Sequence, residues 1–199
     1  MIKHSMKILS RRFYQRDTAL VARDLLGKQI VRNIDGKQVS GIIVETEAYS
    51  FEDPACHAYK GKTEANKALF GPVGHAYIYF IYGNHFCLNL VARTNKNCAG
   101  GVLIRALEPV MGIDTTQKHR SMEIIKNLTN GPGKLAQALA ITKELYGNDV
   151  THKGPIYVTH GVDISPENIC YAKRIGISKA QEKEWRFYIC NNKFVSKKS

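Results

Sequence analysis

The chain reads as an α+β domain built on a curved, mainly antiparallel β-sheet, with helices around it and one protruding β-hairpin. Three observations lead there. Strand-like runs rich in β-branched and aromatic residues recur at 30–34, 39–49, 75–82, 85–93, 101–107, 156–159 and 186–189. Helical patterns fall between them irregularly rather than after every strand, which argues against repeated parallel β-α-β units. Glycine-containing turn dipeptides, Asp35-Gly36 and Gly83-Asn84, join neighbouring runs closely enough for antiparallel hairpins. With 199 residues the chain can bury one core and is short for two, so a single domain over 1–199 is expected, with 1–12 and 193–199 as flexible ends.

Taken in order, Asp17 or Thr18 can cap a helix through Leu20, Val21 and Leu25 that stops at Gly27. Two strands follow, and Asp35-Gly36 suits the tight turn between them. From Ser50 to Gly74 the sequence is polar and punctuated by Pro54, Gly61, Gly71, Pro72 and Gly74, the signature of a long functional loop. Gly83-Asn84 as a two-residue turn sets Tyr82 opposite His85 and Tyr79 opposite Leu88, with Tyr82 at the hairpin tip. Pro109 suits the first turn of a helix toward Met122, and Pro132 that of a helix through Leu135, Leu139 and Ile141.

Lys and Arg number 29 against 17 Asp and Glu, a net charge of +12 that suits a polyphosphate partner, nucleic acid first among them. A solvated basic surface accounts for composition alone equally well, so motifs have to decide. No apolar run approaches the roughly 20 residues of a membrane helix, and no export signal is evident after the basic residues of the N-terminal stretch. An intracellular protein is expected: cytoplasmic and nucleoid-associated in a bacterium, nuclear in a eukaryote. Five cysteines, odd in number and without C-x-x-C spacing, read as reduced thiols rather than a disulfide framework or zinc ribbon.

The chemistry concentrates in Val44-Glu45-Thr46-Glu47-Ala48-Tyr49, where an apolar strand turns acidic and aromatic. Alternation puts Glu45, Glu47 and Tyr49 on one face, and on that ground either glutamate can be the catalytic acid. A solvated pair on an edge strand is the plainer reading. Tyr82, between Ile81 and Gly83, is suited to wedge between stacked bases, although a hairpin-tip tyrosine more often packs on its own sheet. His57 near Cys56 and Asp53 lacks the second ligand pair of a metal site. Gly131-Pro132-Gly133-Lys134 departs from a P-loop at Leu128 and Leu135, and although a lysine after such a glycine-rich turn can form a Schiff base in some lyases, no borohydride-trapped adduct is expected. The zinc-deaminase signature is absent.

Several uncommon strings then recur in one order. They are Arg16-Asp17-Thr18, Val21-Ala22-Arg23-Asp24-Leu25-Leu26-Gly27-Lys28, Val44 to Tyr49, Gly74-His75-Ala76-Tyr77-Ile78-Tyr79, Ile81-Tyr82-Gly83, Cys87-Leu88-Asn89, Leu103 to Pro109, Gly131 to Leu135, and Arg186-Phe187-Tyr188. Together they resemble the alkyladenine (methylpurine) DNA glycosylase family, bacterial type, over nearly the whole chain.

The resemblance implies excision of alkylated or deaminated purines from double-stranded DNA by base flipping, with no covalent intermediate and no cofactor or metal. A monomer suits such a repair enzyme. It selects Glu47 as the acid that activates water and Arg105 as the residue that positions water and phosphate. Tyr49, His57 and Tyr79 resemble the walls of the base pocket, and Asn89 the residue that disfavours the exocyclic amino group of guanine. Tyr82, with Gly83, resembles the minor-groove wedge, and Leu103 a contact to the opened duplex. The chain departs from the family at Ala65, where arginine is common, which puts a DNA or loop-ordering contact in question. The position of His85 varies in the family. A noncatalytic nucleic-acid-binding module, using the same tyrosines as stacking platforms, is the competing reading.

Overall fold

The computed structural model describes residues 7–81 and 85–196. Eight strands form one continuous sheet: β1 (Gln29–Ile34), β2 (Lys37–Ser50), β3 (Ala76–Ile81), β4 (His85–Val91), β5 (Gly100–Met111), β6 (Ile156–Thr159), β7 (Ile169–Ala172) and β8 (Arg186–Ile189). Helices α1 (Arg11–Tyr14), α2 (Thr18–Asp24), α3 (Ile113–Arg120) and α4 (Pro132–Ala138) pack around it. The strand order β3-β4-β5-β2-β1-β6, with β8 joining β2 to β7, is antiparallel at every pairing. The single α+β domain with a curved antiparallel sheet is therefore as the sequence suggests. No helix among the described residues is long and apolar enough to cross a membrane.

β2 organises the sheet. Its first half pairs with β1 through the Asp35-Gly36 turn, where φ is 47° and 77°, the positive values such a turn demands. Its second half pairs with β8 on that same side, and β5 runs along the other side for almost its whole length. Register shifts between Ile43, Glu45 and Thr46 leave Arg105 as an extra residue in β5, since Glu45 pairs with Ala106 and Thr46 with Ile104. Such a bulge bends the strand and re-aims its side chain.

Asp17 caps α2, its carboxylate accepting from the Ala19 and Leu20 amides, a bond worth about 1 kcal/mol. Gly27 ends it at φ 79°, and a Cβ there would stand 2.2 Å from the Val162 carbonyl oxygen, so only glycine fits. The Gly27 amide then bonds the Ile43 carbonyl and docks the helix end on β2. Leu25, Ile43, Leu88, Leu90, Ile104 and Leu135 are fully buried in the main core between the sheet and its helices.

Five sequence expectations need correction. The β3–β4 hairpin pairs Ile81 with His85 and Tyr79 with Cys87, not Leu88; a one-residue slip exchanges the faces of every side chain, and the expected turn itself lies outside the described residues. Pro109 lies within β5 opposite Gly41, and α3 begins only after Gly112, at φ 71°. The helix begun by Pro132 stops short of Leu139 and Ile141. Cys170 and Cys190 form a disulfide, since the pairing of β7 with β8 brings their Cα atoms to 5.4 Å; Cys56, Cys87 and Cys98 remain thiols. The ends do not fray where described. Leu9 is buried and bonds the Val158 carbonyl, while Phe194 packs on Val44 and Ala106 and Ser196 donates to Glu45.

Candidate active site

A single row crosses five strands of the sheet. Tyr77 of β3 pairs with Asn89 of β4, Asn89 with Leu103 of β5, Leu103 with Glu47 of β2, and Glu47 with Arg186 of β8. Paired residues project to the same face, so pairing alone brings together side chains far apart in sequence, Glu47 and Arg186 among them. The row runs into a cavity of about 310 Å³. Tyr49, His57, Tyr77, Tyr79, Asn89, Leu103 and Arg105 line it, and Ile175, Gly176 and Ile177 close one side.

The aromatic walls are of two kinds. His57 and Tyr79 lie against each other, ring centroids 4.1 Å apart, and Tyr77 meets His57 edge-on at 6.0 Å. Among the described residues no ring contact joins Tyr49 to that group, so the two sides bound a gap. The Tyr77 hydroxyl lies 2.9 Å from His57 Nδ1. Burial lowers the His57 pKa from its usual value, so the ring is neutral at pH 7. Asn89 Nδ2 donates to the Tyr77 carbonyl at 3.2 Å, which ties it to the cavity side of the hairpin.

Behind the cavity stands the acidic centre. Glu47 is completely buried; Oε1 accepts from the Ile175 amide at 2.8 Å and faces Arg105 Nη1 at 3.2 Å, while Oε2 accepts from the Tyr49 hydroxyl at 2.8 Å. Burial, then the Glu47 carboxylate, push the Tyr49 pKa far up, so the phenol keeps the proton it donates. Arg105 rides the β5 bulge and spans both glutamates, with Nε donating to Glu45 at 3.1 Å. Burial works against its charge, but Glu47 and Glu45 outweigh burial and hold its pKa above the ordinary value. Glu45 faces away, toward Arg186 Nη1 at 3.1 Å and the Ser196 amide at 2.7 Å.

Of the residues singled out from sequence, Glu47, Arg105, Tyr49, His57, Tyr79, Asn89 and Leu103 meet in this one place. Tyr82 and Gly83 lie outside the described residues. Neither glutamate is on an edge strand or solvated. Sequence reasoning missed Tyr77, which looks like an ordinary strand tyrosine, and the 175–177 wall, which contributes a backbone amide rather than a reactive side chain. Tyr146 was missed too: its hydroxyl accepts from the Ala68 amide at 2.9 Å and donates to the Ala65 carbonyl at 3.3 Å, tying down the segment around Ala65. At the hairpin, a Cβ on Gly133 would stand 3.1 Å from the His85 ring, so the two meet closely.

A buried carboxylate behind an aromatic slot, on a chain of net charge +12, fits a hydrolase acting on a flat ring of a polyanion. Residues 12–193 match the family described as Methylpurine-DNA glycosylase (MPG). The chain is 49% identical over 191 residues to a protein of Carboxydothermus hydrogenoformans, covering 96% of this chain and 100% of that protein. It is 48% identical over 204 residues to one of Clostridium perfringens, covering 96% and 99%, and 45% identical over 189 residues to one of Methanoculleus marisnigri, covering 94% and 97%. Each of the three bears the name "Putative 3-methyladenine DNA glycosylase". The chain belongs to the methylpurine-DNA glycosylase family. It is a base-excision-repair enzyme that acts on DNA and hydrolyses the N-glycosyl bonds of alkylated bases.

Proposed function

We propose that the protein flips alkylated and deaminated purines, such as methylated adenine and hypoxanthine, out of duplex DNA into the aromatic slot. A water activated by Glu47 then cleaves the N-glycosidic bond and leaves an abasic site. The observation that carries this reading is the setting of Glu47, a buried carboxylate whose donors Tyr49, Arg105 and Ile175 all belong to the cavity wall. Oε1 takes two of those donors and Oε2 one, which leaves Oε2 able to accept from a water. As the bond to the base lengthens, positive charge grows on the sugar; the carboxylate stabilises it while taking the water's proton. The attack is direct, without a covalent enzyme intermediate.

Extrusion costs a few kcal/mol and costs least for weakly paired bases, while base–aromatic stacking returns about 1–3 kcal/mol per base. The balance is close enough to select damaged purines. Tyr49 takes one face of the base and the His57–Tyr79 pair the other. With the Tyr77 phenol donating to His57 Nδ1, the Nε2–H is left to meet an acceptor on the base. Asn89 opposes the exocyclic amino group of guanine. Leu103, together with Tyr82 and Gly83 as assigned by their motif, holds the opened duplex. The enzyme acts as a monomer in the cytoplasm, on the nucleoid.

Single-turnover incubation with duplex DNA carrying hypoxanthine or methyladenine, followed by alkaline strand cleavage, tests this. Release of both bases is expected, with no adduct trapped by borohydride. Failure to release hypoxanthine would confine the activity to alkylated bases, and a trapped adduct would replace the water with an amine nucleophile.

A further inference from the structure

The cavity walls come from stretches far apart in sequence, among them Tyr49 at the end of β2, Ala55 to His57 in the long loop, and Ile175 to Ile177 after β7. One side chain is tied to all three. The Arg174 guanidinium grips Asp53 with both Nη atoms, Nη1 on Oδ2 and Nη2 on Oδ1 at 3.1 Å, and Nη1 also donates to the Ala48 carbonyl at 2.8 Å. Asp53 Oδ1 in turn accepts from the Ala55 amide. The residue after Arg174 is Ile175, whose amide holds Glu47. Arg174 Cζ stands 4.7 Å from the Tyr49 ring centroid. Tyr49 lines the cavity and Arg174 does not, so the guanidinium stands against the Tyr49 ring from outside the cavity.

Both charged side chains are fully buried. Such a pair is a weak source of stability, because desolvating two ions offsets most of their attraction, and Arg174 Nε is buried without a partner. The cavity gives the pair a different use. We infer that Arg174, clamped by Asp53, is a positioning residue that fixes Tyr49 against the His57–Tyr79 side of the slot and, by its charge behind Tyr49, tempers that ring's attraction for cationic bases. The inference rests on reading the slot as the purine pocket. Aromatic faces attract cations through their negative quadrupole, and a guanidinium against the ring from outside the cavity opposes that attraction. Neutral deaminated purines and cationic methylated ones are thereby held more evenly than by an unbacked tyrosine.

The test is single-turnover release of 7-methylguanine, cationic in DNA, and of hypoxanthine, which is neutral. The full chain is compared with Arg174→Lys and with the uncharged pair Arg174→Met plus Asp53→Asn, each checked for folding by its binding to abasic-site DNA. Arg174→Lys keeps the charge but cannot form the fork, so both bases are released about tenfold more slowly at an unchanged ratio. In the uncharged pair both rates fall, and the cationic-to-neutral ratio rises about threefold. If that pair does not fold, Arg174→Gln with Asp53→Asn keeps a flat amide behind the ring and takes its place. Wild-type rates in Arg174→Lys would overturn the positioning role, and an unchanged ratio in the uncharged variant would overturn the electrostatic one. A wild-type chain that releases neither base contradicts the purine pocket itself, a separate failure.

Discussion

Glu45 and Glu47 lie two residues apart on β2, project to one face, are both completely buried and share Arg105. Their remaining partners differ. Glu45 is held by Arg186 and by the amide and hydroxyl of Ser196, beside the small apolar cluster of Val44, Ala106 and Phe194. Glu47 is held by Tyr49 and Ile175, both of which line the cavity. Two identical side chains on one strand thus take different settings from their neighbours: Glu45 anchors the bulged arginine and the C-terminal segment, and Glu47 is left beside the cavity. Environment, not residue type or alternation, separates them.

Breaking the shared partner carries the largest expected effect. Arg105→Ala leaves two buried carboxylates without their common cation, at a cost of about 3–5 kcal/mol in stability, and lowers release by about a hundredfold or more; denaturant melts and single-turnover rates read the two losses separately. Glu45→Gln is expected to cost about 1–3 kcal/mol in the same melts, since it weakens charge-assisted bonds to Arg105, Arg186 and Ser196. A variant ending at Asn192 loses the Phe194 packing and the Ser196 donors. It should melt lower, by about 2 kcal/mol, and its loss should shrink in the Glu45→Gln background because the two changes share an interaction.

The smallest effect concerns thiols. Burial pushes Cys56 and Cys87 up to about 11, whereas Cys98 is exposed. At pH 8 the native chain should therefore take up iodoacetamide at Cys98 first, and peptide mapping should find Cys56 and Cys87 modified only after denaturation. Early modification of Cys87 would mean that the cavity opens to solvent more than its packing allows.

The strands other than β7, the α2 cap and the Asp35-Gly36 turn were legible because each rests on local signals: alternation, a capping aspartate, a dipeptide with positive φ. Glu47, Arg105, Tyr49, Tyr79, Asn89 and Leu103 stood in the motif strings and His57 in the long polar loop, and the fold brings these seven together at and behind one cavity. What escaped depended on tertiary structure. Ile175 acts through its amide, so its side chain advertises nothing. Cys170 and Cys190 are 20 positions apart, and only the β7–β8 pairing makes them neighbours. Phe194 and Ser196 sit in a basic tail whose composition suggests solvent, yet one fills an apolar cluster and the other satisfies a buried carboxylate. The Gly83-Asn84 dipeptide suggested a two-residue turn, and the pairing of β3 with β4 set the register one residue away.

The division of labour between the two glutamates is tested most directly by single-turnover release of hypoxanthine from duplex DNA with Glu47→Gln and Glu45→Gln side by side, each rate normalised to the DNA-binding fraction. Glu47→Gln is predicted to lose about a thousandfold or more while still binding DNA, with Glu45→Gln remaining within about tenfold of the wild type once its folded fraction is counted. Equal losses in the two variants, or a larger loss at Glu45, would contradict the account.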